Sequence, residues 1–337
     1  MPVLSTPQRY AGGVLAHSGW VRHVGVVHPT PLMFWQNFTQ RSAAMKFALH
    51  FGNLAYPNPE DAKRLVQVGE AAGFESVIAV EHVVIPTDYG TQYPYDASGR
   101  LPGGIDTAWP DPLAWLTYVG ALTTKMRLIT GVLILPQRNP VVLAKHLATI
   151  DHLTGGRLDL GIGVGWLREE FDALGIPFER RGARVDEYIQ AMRTLWDGDD
   201  ASFHGAFASF KGMSCNPKPV NGRVPIIVGG HSKAAIRRAG QLGDGFFPAT
   251  GAVLDVADAI KAMRKEAQDV GRDPATIQVM SGCPDALPGS GKNPVAAVAA
   301  RAAIGVDRIA VPLTVFQNDL EGKLAAFGEN VIKQVSD

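Results

Sequence analysis

Glu81-His82 closes an apolar run, Ser76–Val80, and is where proton chemistry first finds suitable residues in this 337-residue chain. An imidazole titrates near pH ~6.5 and can give or accept a proton in neutral solution. A lone histidine more commonly makes a structural hydrogen bond. Here the place at a strand end, and the aromatic stretch that follows with Tyr89, Tyr93, Tyr95 and Trp109, favour the catalytic reading. Three glycine-bearing turns also follow apolar runs. They are Thr130–Pro136 with Gly131 and Val132, Leu160–Trp166 with Gly161, Gly163 and Gly165, and Ile227–Lys233 with Gly229, Gly230, His231 and Ser232. Glycine lets backbone N–H groups approach a ligand closely, and a helix start adds oriented donors. Ser232 is placed to cap such a helix and to supply a hydroxyl. One such turn is ordinary strand-to-helix punctuation, whereas three on one rim favour a phosphate-bearing cofactor.

Other constellations point elsewhere. Gly161–Gly165 imitates a dinucleotide fingerprint, but the acidic residues about twenty positions on, Asp186 and Glu187, fall within a predicted helix and not at the end of a second strand. No HxH or HExxH occurs, and His146 and His152 do not share a helix face, so no metal is expected. Asp151 precedes a strand and is expected to be a structural ion pair or cap, with Arg157 as a possible partner. Arg180, Arg181 and Arg184 suit either an acidic tail on a cofactor or a solvated helix start. His50 lies in the first strand and could face the mouth of a barrel.

The elements that must position these residues alternate. Strands are predicted over 46–51, 76–80, 127–133, 157–162, 224–228, 243–247, 277–281 and 308–311, with helices over 61–72, 112–123, 141–152, 184–196, 233–242, 256–270, 295–304 and 320–331. Strict alternation of this kind implies an α/β chain folded as a (β/α)8 TIM barrel. The segment 81–111 is too long for a plain connection and falls on the C-terminal face, where active sites of such barrels lie. A second insertion, 201–221, reads as a hairpin. The barrel domain is expected to span 45–337. Residues 1–44 contain Arg9, Arg22 and Arg41 but no Asp, Glu or Lys, and prolines interrupt any helical period. They are expected to be a disordered extension upstream of a true start at Met45, without function.

Composition limits the function. The chain has 32 Lys+Arg against 32 Asp+Glu, and a zero formal charge argues against a nucleic-acid surface. No run of about 18 apolar residues is present to span a membrane. Cys215 and Cys283 form no CxxC pair or disulfide framework, which suits a reducing, cytoplasmic setting.

Taken together, the chain from Met45 to about Pro312 resembles the luciferase-like monooxygenase superfamily. The likeness rests on the Lys46–Gly52 first strand, Glu81-His82, Thr130-Gly131-Val132 through Asn139-Pro140, Thr154–Arg157, Gly161–Trp166, Pro225–Ser232 and Gly243–Phe246. The pattern is most similar to the branch that uses the deazaflavin coenzyme F420, with FMN as the alternative cofactor. The resemblance implies a non-prolyl cis peptide at Gly131–Val132, with the Val132 side chain beneath the cofactor ring. It implies that backbone around Val164, Gly165, Gly229, Gly230, His231 and Ser232 holds the cofactor's phosphate, and that Glu81, Gly131 and Ile134 also line the cofactor site. His82 matches the family's rim histidine, a proton donor or acceptor for hydride transfer to or from a small organic substrate. Tyr89, Tyr93, Trp109 and Trp166 would line the substrate side. Two departures stand out: Glu81 replaces the Asp of many F420-dependent members, and Trp166 replaces the Glu proton donor of the sugar-phosphate dehydrogenase branch. The family also implies a homodimer, and a partner reductase if the cofactor is FMN. A barrel that binds a phosphate-containing ligand without redox turnover is the remaining alternative.

Overall fold

The computed structural model describes residues 44–104, 106–248 and 255–335; apart from Ala44, the extension expected at 1–44 lies outside the described residues. Among the described residues, eight parallel strands alternate with helices. The strands are β1 (Lys46–His50), β2 (Ser76–Ala79), β3 (Arg127–Thr130, resuming as Leu133–Ile134), β4 (Leu158–Gly163), β5 (Ile226–Gly229), β6 (Gly245–Phe247), β7 (Gln278–Gly282) and β8 (Arg308–Pro312). They pair in the order β3-β2-β1-β8-β7-β6-β5-β4, and β3 also pairs with β4, which closes the sheet into the expected barrel. The outer ring is α1 (Pro59–Ala71), α2 (Pro112–Gly120), α3 (Pro140–Leu153), α4 (Arg181–Asp197), α5 (Lys233–Leu242), α6 (Val256–Asp269), α7 (Pro294–Ala303) and α8 (Leu320–Phe327). No helix among the described residues is long and apolar enough to cross a membrane.

The local chemistry explains these limits. An Asx side chain followed by proline opens several helices: Asp111 accepts from Ala114 N–H at 2.9 Å, Asn139 from Val141 N–H at 2.9 Å, and Asn293 from Ala296 N–H at 3.0 Å. Along β1, Phe47 and Leu49 pack outward against helices while Ala48 points inward. The barrel interior is filled by Ala48, Ile78, Ile129, Ile227, Met280 and Ala310, with Phe247 against them. The insertion after α4 is a hairpin, Ala201–His204 against Ser209–Met213, as expected. Two short helices, Gly52–Ala55 and Arg168–Ala173, escape the sequence because each is too short to show an apolar period.

Beneath the barrel, Arg127 grips Asp159 at 3.0 and 2.5 Å, and Arg308 grips Glu75 at 3.0 and 2.9 Å. Asp151 is structural, as expected, accepting from Val220 N–H at 2.8 Å and Leu158 N–H at 3.4 Å. Its expected partner Arg157 is not one. That guanidinium reaches the carbonyls of Gly120, Met126 and Thr154 and the Thr123 hydroxyl. Gly120 ends α2 and Thr154 caps α3, so the guanidinium meets carbonyls at helix C-termini, where a cation is favoured.

One irregularity prepares the site. Leu128 and Ile129 face Leu158 and Asp159, but Leu133 and Ile134 face Ile162 and Gly163. Strand β3 thus carries one residue more than its partner across the break, the signature of a bulge. The Gly131–Val132 peptide within it is cis, as the resemblance implied.

Candidate active site

The residues expected to hold a cofactor or move a proton follow the C-terminal ends of the strands. Glu81 and His82 follow β2; Gly131, Val132 and Ile134 lie at the break in β3. Val164, Gly165 and Trp166 follow β4, and Gly229–Ser232 carry β5 into α5. The bulge turns Val132 sideways across the mouth, where it remains partly exposed. A β-carbon on Gly163 would come within 2.6 Å of Val132 Cγ2, and one on Gly229 within 2.5 Å of its Cγ1. Glycine at both positions therefore admits the valine between the ends of β4 and β5.

His82 is buried. Its Nδ1 lies 3.3 Å from Glu170 Oε2, and its ring meets Trp109 and Trp166 edge to face, with centroids 5.1 and 5.8 Å away. Glu170 also accepts the Val83 N–H at 2.6 Å and the Val84 N–H at 3.3 Å. Burial pushes the Glu170 carboxyl up, but the His82 ring and the Val83 N–H outweigh it and hold it below the usual carboxylate range. Buried Gln137 faces the same carboxylate, and neither of its amide atoms has a hydrogen bond of normal geometry among the described residues.

Glu81 points the other way. Its carboxylate accepts from Ile134 N–H and from Arg138, whose guanidinium also bonds Asp111 at 2.7 Å. Burial pushes the Glu81 carboxyl up, against the pull of Arg138. The side chain thus holds the second half of β3 in place, and Ile134, itself buried, takes part through its backbone. Asn53 fastens both ends of the long loop, donating to the carbonyls of Val80 and Pro110 at 2.8 Å each and accepting from Val80 N–H at 2.9 Å.

That loop, 81–111, lies over the rim. Tyr89 and Tyr93 pack on Trp166 with centroids 5.8 and 5.1 Å away, and Tyr95 packs on His231 at 5.5 Å. Glu169 pins it by accepting from Gly90 N–H at 2.8 Å, Thr91 N–H at 3.2 Å and the Thr91 hydroxyl at 2.7 Å. Partial burial pushes the Glu169 carboxyl up, but the bond from Thr91 and the Gly90 N–H bring it down to about 2.

The turn after β5 divides its donors. Gly230, at φ +118°, gives its N–H to the Phe247 carbonyl at 3.1 Å. Ser232 caps α5 by accepting from Ala235 N–H at 3.2 Å, and the first turn of the helix supplies further donors. Partly exposed Val132 beside a capped helix start fits a planar ring that carries a phosphate. His50, at the end of β1, stacks on Phe51 with centroids 3.8 Å apart and meets Phe247 at 5.7 Å. Burial pulls its imidazole down to about 4, and its buried Nε2 has no hydrogen-bond partner among the described residues. Arg181 donates to the Gly165 carbonyl at 3.0 Å, and Arg184 to that of Pro177 at 2.7 Å. No group of metal-binding side chains occurs among the described residues.

Sequence reasoning missed Asn53, Gln137, Arg138, Glu169 and Glu170. Arg138 and Asn53 carry no local signal, because their partners are 57 and 27 residues away in the chain. Glu169-Glu170 lies in the first turn of a six-residue helix shortly after Trp166 of the second glycine turn, a position that could have drawn notice.

Comparison with known proteins agrees with the barrel fold. The model of the luciferase-like monooxygenase family matches residues 34–308. An uncharacterized protein of Mycobacterium tuberculosis is 32% identical over 218 residues, 64% of this chain and 75% of that protein. The FMNH2-dependent dimethylsulfone monooxygenase of Pseudomonas fluorescens is 32% identical over 208 residues, 61% of this chain but only 52% of the enzyme, so the match spans about half of it. Among solved structures, the coenzyme F420 dependent tetrahydromethanopterin reductase of Methanopyrus kandleri superposes with a TM-score of 0.67 at 17% identity, covering 87% of this chain and 99% of the other. A monooxygenase from Streptomyces bottropensis gives 0.66 at 23% identity, covering 86% and 99%. At these identities the two structures speak for the fold. With a closed eight-stranded barrel and a family match over most of its length, the chain belongs to the luciferase-like monooxygenase family.

Proposed function

We propose that this protein is an oxidoreductase that passes a hydride between coenzyme F420 and a small organic substrate held under the loop 81–111. The observation that carries the reading is Val132, turned across the barrel mouth between Gly163 and Gly229 and left partly exposed there. Bound F420 would supply the two-electron chemistry at its ring carbon C5; FMN would supply it at N5. Val132 would support the ring from below, and Gly131, Ile134, Val164 and Gly165 would shape the floor. The phosphate would lie against the start of α5, contacting Gly229–Ser232. Glu81 would hold the floor to β2 through Ile134 and Arg138. His82 would give or take the proton that balances the hydride. Tyr89, Tyr93, Trp109 and Trp166 would exclude water and favour an apolar or aromatic substrate.

A second reading, an FMN-dependent monooxygenase supplied by a partner reductase, is supported by the Pseudomonas relative. Equilibrium titration of the chain with F420 and FMN side by side, followed by absorbance, separates the two. Tighter binding of F420 is expected. Tighter binding of FMN would replace the first reading by the second, and binding of neither would remove both. A homodimer belongs to the same proposal and is checked by light scattering.

A further inference from the structure

We propose that Glu170 is the positioning residue of His82, fixing the imidazole with its proton on Nδ1 and leaving Nε2 as the only ring nitrogen able to exchange one. The inference rests on the proposed role of His82 but draws on separate geometry. Three donors converge on one buried carboxylate from consecutive residues: the His82 ring at 3.3 Å, Val83 N–H at 2.6 Å and Val84 N–H at 3.3 Å. Both backbone N–H groups take Oε1, so Oε2 is left for the ring. An ionised carboxylate only accepts, so the ring nitrogen facing it must donate. The neighbouring carboxylates do not compete. Glu81 is taken up by Ile134 and Arg138, and Glu169 by Gly90 and Thr91.

This arrangement also predicts what an amide would do. In Glu170→Gln the amide oxygen would keep the place at Val83, because an N–H that close requires an acceptor. The amide NH2 would then face the ring, Nδ1 would have to accept, and the proton would move to Nε2. A neutral replacement of nearly the same shape should thus invert the tautomer.

The test is imidazole 15N NMR on the histidine-labelled full chain at about pH 8.5, where an ordinary histidine is neutral, with the His82 signals assigned by their loss in His82→Gln. The unmodified chain should show a protonated Nδ1 and a pyridine-like Nε2, and Glu170→Gln should show the reverse. A wild-type ring protonated on Nε2 would overturn the proposal without recourse to any variant. So would an unchanged tautomer in a folded Glu170→Gln protein. Because the measurement needs no cofactor, its outcome is independent of the titration with F420 and FMN. A correct tautomer with neither cofactor bound would sink the proposed function and leave the positioning intact, and the opposite pair of results would do the reverse.

Discussion

Val132 packs so closely on Gly163 that a β-carbon on the glycine would lie 2.6 Å from Val132 Cγ2. The next contacts at that glycine are at 3.6 and 3.8 Å, so the valine is the one obstacle close by. Gly163→Ala should destabilise the fold by about 1–3 kcal/mol, the usual cost of overpacking. In a Val132→Ala background the same change should cost much less. The double-mutant cycle, measured by urea unfolding, should give a coupling energy of about 1 kcal/mol or more. Additive effects would mean that the two side chains do not meet.

His82 is proposed to move a proton and not to hold the cofactor. His82→Ala should therefore lower turnover by about 10²–10⁴-fold, the range for loss of a general acid or base. The dissociation constant for F420 or FMN should change far less. Single-turnover kinetics and cofactor titration on the same preparation check both halves, and undiminished turnover would end the assignment.

His50 gives a pH signature. Its imidazole titrates at about 4 when folded, against 6.5 ordinarily. Between those values the unfolded chain binds a proton that the folded chain refuses, so stability falls as the pH falls through that window. The contribution is fully present above 6.5 and lost below about 4, and it amounts to at most roughly 3 kcal/mol. Urea midpoints of the wild type and His50→Leu, at about pH 7 and about pH 4.5, should show the larger acid loss in the wild type. Equal losses would clear His50 of the effect.

Arg138 joins two carboxylates, Glu81 and Asp111. Arg138→Ala would leave the buried Glu81 carboxylate without its cation, at a cost of about 3–5 kcal/mol. Glu81→Gln combined with Arg138→Ala should recover part of that stability, because the buried charge is then gone. Thermal unfolding of the three variants provides the comparison, and a double variant no more stable than Arg138→Ala would count against the pairing.

The barrel was legible because alternation of short apolar runs with amphipathic helices is a local property, written residue by residue between Lys46 and Phe327. The glycine turns and the end-of-strand histidine were legible for the same reason: a rim position follows from chain order once the strands are known. Chain order cannot say which side chains meet across the rim. Glu170 stands 88 residues from His82, and Arg138 stands 57 from Glu81. Each pair depends on the parallel pairing of β2 with β3 and of β3 with β4, which brings the ends of the three strands side by side. Nor could composition distinguish the two acidic neighbours that secure the loop, Glu169 on Gly90 and Glu170 on Val83. Their division of labour follows from their successive places on a six-residue helix, which send neighbouring side chains in different directions, and the partner each one meets lies 79 or 87 residues away and is brought there only by folding.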